Sequence, residues 1–377
     1  MAMTSCDVAI VGAGLGGCFL ALLLGRTGRH VVVVEQGPTV PSAGADFVKR
    51  PGMQALARHG LVSLVERNAL KRDLVRYYHD GDPIQECGYP DGFLIRPYRE
   101  LVEVIYSSCA MQGVEFWFDA RIDHLAGEDE RVDHLALADG RKLRAGVVIG
   151  ADGTRSAVRQ ALGLSKESTS YPHMLRVATI PLTASIARLN RLYFSSDGWF
   201  SYLYPIKHDQ ARIFVGLPAG QDAEVFGDGG PGPVDALRTF VTDNADAYDV
   251  IGNAAWQAIP VAAMRVPAYH RGNAALLGSA AFACHPMTGM GMSYTLHDAE
   301  ILAEVIQEAE GDVELVEKGL ETAYEPRRRM HEELIGYGDA LAGTYHDRNA
   351  YLRTFRQDLH VFGDTDPIGK DFVTVLG

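Results

Sequence analysis

Val8-Ala9-Ile10-Val11-Gly12-Ala13-Gly14-Leu15-Gly16-Gly17 decides the architecture of this chain. The first four residues, rich in branched side chains, read as a strand buried on both faces. Gly12, Gly14 and Gly17 then give G-x-G-x-x-G directly after it. The first glycine allows the tight turn, the second lets backbone approach a pyrophosphate, and the third lets a helix pack close to the strand. Phe19 to Leu24 supplies the inner part of that helix, and Gly28 ends it. His30 to Val34 is a second buried strand, with Glu35 at its C-terminal end. The three elements make a right-handed βαβ unit. Its helix N-terminus offers unpaired N–H groups to an anion, and Leu15 stands at that point. Glu35 is placed to accept hydrogen bonds from a ribose diol, and its charge disfavours a 2′-phosphate. The motif by itself does not separate FAD from NAD.

Outward from this unit, residues 42–62 read as mostly helical after a turn. Arg72 to Tyr78 reads as a strand ending at an Asp80-Gly81 turn, and Phe93 to Ile95 as another before Pro97. Leu101 to Ala110 has helical periodicity. Glu115 to Phe118, Arg131 to Ala136 and Val147 to Ile149 read as strands, with Asp139-Gly140 as a hairpin turn. Residues 172–260 change character: Tyr193, Phe194, Trp199, Phe200, Tyr202, Tyr204, Phe214 and Trp256 lie among short candidate strands. Ala274 to Leu277 reads as a strand returning to the first sheet. His297 to Glu308 and Val313 to Glu325 read as helices, and 327–377 as mixed, with glycine-rich interruptions.

The 377 residues suit two domains sharing an interface. A hydrophobic fraction of 47% excludes a disordered chain. Lys and Arg total 35 against 48 Asp and Glu, and a net charge of -13 disfavours nucleic acid as a partner. The five cysteines include no C-x-x-C pair, which argues against a structural zinc or iron–sulfur centre and for a reduced, cytoplasmic compartment. No metal ligand set is expected. No apolar run reaches the length of a membrane span; a peripheral membrane contact stays open, and the oligomeric state is not readable.

Two further segments complete a pattern. Gly150-Ala151-Asp152-Gly153-Thr154-Arg155-Ser156-Ala157-Val158-Arg159 reads as strand, close turn and capped helix. Gly278-Ser279-Ala280-Ala281 runs on to His285-Pro286-Met287-Thr288-Gly289-Met290-Gly291-Met292. Its glycines permit close backbone approach to a flat ring, and N–H groups at a helix start can stabilise negative charge there. With the glycine fingerprint and Glu35, these segments resemble the class A FAD-dependent aromatic hydroxylases, over roughly residues 6–330. The His-Pro and Thr-Gly elements are also similar to the squalene-epoxidase-like and quinolone-hydroxylase-like branches.

The resemblance implies an α/β fold: a Rossmann-like FAD-binding domain with an inserted sheet-rich substrate domain, like that of para-hydroxybenzoate hydroxylase. The FAD-binding parts would be 1–70, 96–171 and 266–330. The substrate parts would be 71–95 and 172–265, and 331–377 a helical or mixed C-terminal segment. It further implies reduction by NADPH or NADH, then insertion of one oxygen atom from O₂ through C4a-hydroperoxyflavin. The organic substrate would be aromatic, quinolone- or quinone-like. The implied flavin contacts are Gly12, Gly14, Leu15, Gly17, Glu35, Asp152, Arg159, Ser279, Pro286, Gly289, Met290, Gly291 and Met292. Ser279 departs from the family's acid. Residues 37–48 lack the usual Arg, so Lys49 or Arg50 would substitute, and Arg96 is favoured over Arg99 on the phosphate side.

On the substrate side, His285 would polarise a substrate hydroxyl or assist proton transfer, since an ordinary imidazole titrates near 6.5. Tyr202 and Tyr204, at period two, would share a strand face, and Arg176 would bind a local oxyanion. Tyr193 and His208 are further polar candidates. Two other functions stay open: an FAD-dependent reductase or dehydrogenase for an unsaturated or polycyclic substrate, and a non-catalytic flavin-binding interaction protein.

Overall fold

The computed structural model describes residues 3–42, 44–128, 130–259, 261–361 and 373–374. Its first sheet runs His270–Arg271, Ala274–Leu276, Lys142–Gly150, Met3–Val11, Val31–Val34, Glu115–Trp117 in spatial order. Met3–Val11 is parallel to both its neighbours, with Val11 opposite Val34 on one side and Gly150 on the other. Gly150 also faces Leu276 of the next parallel strand. This register delivers the ends of four strands to one edge, and the three sequence motifs begin at that edge. Ligands of open α/β sheets bind outside such carboxyl ends.

Helix Leu15–Gly25 follows the first strand, and all eleven of its residues are buried. It packs between Gly291–Glu308 and Tyr98–Ala110, so an apolar sequence on every face is required. Each leucine fully buried there contributes roughly 2 kcal/mol.

The second sheet is mostly antiparallel: Gln257–Ile259, His173–Pro181, Gln210–Pro218, Phe200–Pro205, Asn190–Phe194, Leu70–His79, Asp82–Ile95, Val373–Thr374. Short strand Phe47–Val48 pairs with the end of Asp82–Ile95. Asp80 and Gly81, both at positive φ, turn the hairpin between the two long strands. One face carries Phe200, Tyr204, Phe194 and Tyr77 against Leu341, Tyr345, Tyr351 and Phe355 of the C-terminal helical region. The opposite face carries Tyr193, Ile213 and Val215 beneath Leu237, Phe240 and Ile251. No helix among the described residues is long and apolar enough to cross a membrane.

Several boundaries differ from the sequence reading. Residues 42–62 contain strand Phe47–Val48 ahead of helix Arg50–Arg58. The helix expected from His297 begins at Gly291. The segment expected as one helix from Val313 to Glu325 is helix Val313–Gly319 continued by a wider turn, Leu320–Tyr324. The mixed reading from 327 gives way to two helices, Arg327–Thr344 and Arg348–Val361. Gly338 misled there because it serves packing. A Cβ on it would lie 3.0 Å from the Cβ of His285 and 3.1 Å from Cγ2 of Thr288.

Candidate functional site

The glycine loop is shaped by what surrounds it. Gly12 has φ +105°, and a Cβ there would stand 2.4 Å from the Ala151 carbonyl oxygen. A Cβ on Gly17 would stand 2.0 Å from the Gly12 carbonyl oxygen. Only glycine fits either place. Glu35 is nearly buried; Oε2 accepts the Ala13 N–H at 2.9 Å and Oε1 the Gly37 N–H at 2.9 Å. It therefore fixes the loop crest at the end of the second strand.

Tyr98 was missed by sequence reading. Its hydroxyl accepts the Leu15 N–H at 3.1 Å, at the first turn of the fingerprint helix. Its ring lies against Gly44, where a Cβ would come within 2.3 Å. Burial pushes the phenol's pKa up, so it stays a neutral donor and acceptor. The signal was its place at a helix start after Pro97, between the two arginines weighed for the phosphate side. Arg96 itself is turned to the end of helix Val62–Glu66, donating from Nη1 to the carbonyls of Val65 at 2.9 Å and Leu64 at 3.4 Å. Arg99 pairs with Glu103 on the surface.

The second motif holds its turn through Asp152. Oδ2 accepts N–H groups from Ala157 at 2.6 Å and Val158 at 3.3 Å. Oδ1 is buried without a hydrogen-bond partner among the described residues. A lone acceptor beside Gly12, at the strand-end edge, fits a hydroxylated dinucleotide. Ser156 caps the short helix Ala157–Ala161 by accepting the Arg159 N–H. Arg159 is buried and clamps the second motif to the third, donating to the carbonyls of Ala280 and Thr154 at 2.8 Å each. Ser279 is exposed, in the turn Gly278–Ala280.

In the third motif, Pro286–Thr288 forms a tight turn, Gly289 follows at φ +59°, and helix Gly291–Glu308 starts after Met290. Lys49 Nζ donates to the Thr288 carbonyl at 3.1 Å and would lie 3.0 Å from a Cβ on Gly289. A cation thus stands under the Pro286–Gly289 turn, from the segment that sequence reading considered for a missing arginine. Neighbouring Arg50 pairs with Asp91 at 3.5 Å.

The substrate-side residues separate into two groups. Tyr202 stacks on Phe47 with ring centres 5.4 Å apart, and Tyr204 lies 4.7 Å from Tyr202. The Tyr204 hydroxyl donates to Asp46 Oδ2 at 3.0 Å, which Arg212 also binds at 2.9 Å. His285 belongs with them through the ring cluster of Tyr171, His173, Phe200 and Tyr345. Arg176 stands apart, its guanidinium bound by both oxygens of Asp222 at 2.8 and 2.5 Å and lying over Phe226. Tyr193 is held by Asp243 on the other face of the sheet, and His208 is exposed.

The expected titration of His285 near 6.5 is corrected. Burial, reinforced by neighbouring His173, pushes it down to about 3. Burial likewise pushes His173 down to about 4. Both imidazoles are neutral at pH 7, which removes His285 as a group that titrates near neutrality.

A parallel sheet ending in a glycine cradle, an inserted second sheet, and the glycine turn of the third motif between them define the FAD-dependent class A monooxygenases. The chain belongs to the family described as "FAD binding domain", whose profile matches residues 5–335. It is an FAD-dependent monooxygenase. The crystal structure of P. aeruginosa PqsL in complex with 2-aminobenzoylacetate is similar at 34% identity and a TM-score of 0.89, covering 94% of this chain and 100% of that one. Para-nitrophenol 4-monooxygenase of Pseudomonas sp. (strain WBC-3) is 29% identical over 326 residues, 79% of this chain and 77% of that protein. The 3-amino-4-hydroxybenzoate 2-monooxygenase PtmB3 of Streptomyces platensis is 28% identical over 333 residues, 81% of this chain and 80% of that protein.

Proposed function

We propose that this enzyme, with NADPH or NADH as electron donor, transfers one atom of O₂ to a benzene ring bearing a nitrogen substituent and an oxygen function. The balance is substrate-H + O₂ + NAD(P)H + H⁺ giving substrate-OH + H₂O + NAD(P)⁺. One observation carries the reading: the third motif leaves the first sheet, and its His285 then meets the aromatic face of the second sheet through His173. A flat ring held there would lie beside the turn suited to the flavin. The compounds named for the three relatives above share a nitrogen-substituted benzene ring with an oxygen function.

When bound, FAD supplies electron transfer and oxygen activation. The chain's residues supply the rest. Gly12, Gly14, Leu15 and Gly17 accommodate the dinucleotide phosphates, and Glu35 and Asp152 offer acceptors to its hydroxyls. Ser279 would face the ribityl-phosphate part and the Pro286–Met292 turn the ring, with Lys49 adding positive charge. Phe47, Tyr202, Phe200 and Tyr345 give an apolar wall that limits water at the reacting ring. Arg96, Arg50 and Arg176 serve chiefly to brace the fold through the partners described above.

The test is aerobic turnover of purified, flavin-loaded protein with NADPH or NADH and a panel of amino- and nitro-substituted benzenes. Substrate-accelerated oxidation of the nicotinamide and a product carrying ¹⁸O from labelled O₂ are expected. Label from water, or undiminished turnover without O₂, would overturn the reading in favour of a reductase or dehydrogenase.

A further inference from the structure

His173 opens strand His173–Pro181 of the second sheet and is almost fully buried. Its Nε2 lies 2.7 Å from Nε2 of His285, which is fully buried in the turn before Pro286. Two neutral imidazoles meeting nitrogen to nitrogen share one proton, so one must donate and the other accept. The direction is set elsewhere. His285 Nδ1 accepts the Met287 N–H at 3.1 Å. That nitrogen therefore carries no proton, and the His285 proton sits on Nε2. It is donated to His173 Nε2, which leaves the His173 proton on Nδ1.

Reversing both tautomers would set a His285 Nδ1–H against the Met287 N–H, donor facing donor. The pair is therefore locked in one sense. His173 Nδ1 is buried and has no hydrogen-bond partner among the described residues. An unmet buried donor is destabilising, and an acceptor carried by a ligand would satisfy it. Around the His173 ring stand Tyr171 at 5.6 Å, Phe200 at 5.4 Å and Tyr345 at 5.9 Å, an apolar setting that suits an aromatic ligand.

We infer that His173 is a substrate-binding residue whose Nδ1–H donates to an acceptor oxygen on the aromatic substrate, a ketone, carboxylate or phenolate, and that His285 is the positioning residue that fixes its tautomer. This rests on the function proposed above and narrows it: the histidine pair presents a neutral donor rather than a general base. A substrate oxygen that gains electron density as the ring is oxygenated would be held more tightly by this donor than in the ground state.

Two measurements on the flavin-loaded enzyme decide it. The first is ¹⁵N NMR of labelled histidines: His173 should be protonated on Nδ1 and His285 on Nε2, and the opposite assignment overturns the inference. The second uses substitutions that divide the ring's two nitrogens. The amide nitrogen of His173→Asn falls near Nδ1, whereas that of His173→Gln falls near Nε2. Binding of 2-aminobenzoylacetate, read from the flavin absorption spectrum, should weaken roughly ten-fold or more in His173→Gln and His173→Phe but only about three-fold in His173→Asn. Aniline, lacking the acceptor oxygen, should bind all four forms alike. A ranking with Gln above Asn, as support of His285 alone would give, overturns the donor role. A wild-type enzyme that retains FAD yet binds neither probe instead overturns the substrate class, and the inference falls with it.

Discussion

The nucleotide cradle and the aromatic chamber lie on either side of the His285 turn and are built in opposite ways. The cradle is made of backbone: glycines that only glycine can replace, amides at a helix start, and strand ends brought level by parallel register. The chamber is made of side chains of Phe47, Tyr171, His173, Phe200, Tyr202, Tyr204, His285 and Tyr345, gathered from five separate stretches of the chain. Backbone tolerates no added atom, so adding a Cβ at Gly12 or Gly17 should act nearly all-or-none. The chamber's interactions are several and individually modest, so it should respond in steps.

The largest expected effect is Gly12→Ala. With a Cβ 2.4 Å from the Ala151 oxygen and φ at +105°, the loop must shift or unfold. Purified protein should retain under about a tenth of the wild-type flavin per chain, since strain and lost phosphate contacts together exceed ~2 kcal/mol. Full flavin content in that variant would erase the contrast between the regions. Next is Gly338→Ala, which pushes on His285 and Thr288 from the chamber side. Flavin should be retained while substrate turnover falls about ten-fold and hydrogen peroxide release rises, as expected when ring positioning slips. Parallel losses of flavin and turnover would mean the two regions are one.

A smaller effect is expected from Tyr98→Phe, which strips the Leu15 N–H of its partner. FAD affinity, measured by titrating apoprotein, should fall about five-fold, the scale of one hydrogen bond. Arg96→Gln should lower thermal stability through helix Val62–Glu66 and change FAD affinity less. The pH profile gives a further comparison. Both chamber histidines are depressed, so the unfolded chain takes up protons below about pH 6.5 while the folded pair stays neutral. Their stabilisation is complete above that value and is lost as pH falls towards about 4 and about 3, where the folded imidazoles themselves protonate. The urea midpoint should drop across that window, and His173→Phe should flatten the drop. The smallest effect belongs to Arg176→Gln. Breaking its half-buried Asp222 pair should cost about 1 kcal/mol of stability, with kcat shifted less than two-fold; a larger loss of turnover would return Arg176 to the substrate site.

The same contrast explains what could be read from sequence. Gly12, Gly17 and Glu35 announce themselves because spacing along one βαβ unit fixes their geometry. Asp152 follows for the same reason, directly after strand Lys142–Gly150; the Gly289 turn lies well past strand Ala274–Leu276 and is legible only as part of the third motif. His173 carries no such signal: it is a single histidine beside Pro172, and only folding brings it to His285. Tyr98 was hidden by more conspicuous arginines on either side. Gly336, Gly338 and Gly343 read as helix breakers, yet Arg327–Thr344 stays helical through them, because tertiary packing outweighs a propensity cost of about 1 kcal/mol each.

The parallel pairing of Leu70–His79 with Asn190–Phe194, Val75 opposite Asn190 and Tyr78 opposite Tyr193, has a consequence for engineering. The second sheet cannot be exchanged with a relative as one cassette. A chimera that replaces 173–259 alone would join a foreign strand to a native hairpin across five paired positions, with Tyr78 and Tyr193 both reaching for Asp243. Swapping substrate preference by recombination therefore requires two cuts made together, at 70–95 and at 173–259, and a library that moves only one should be dominated by misfolded members.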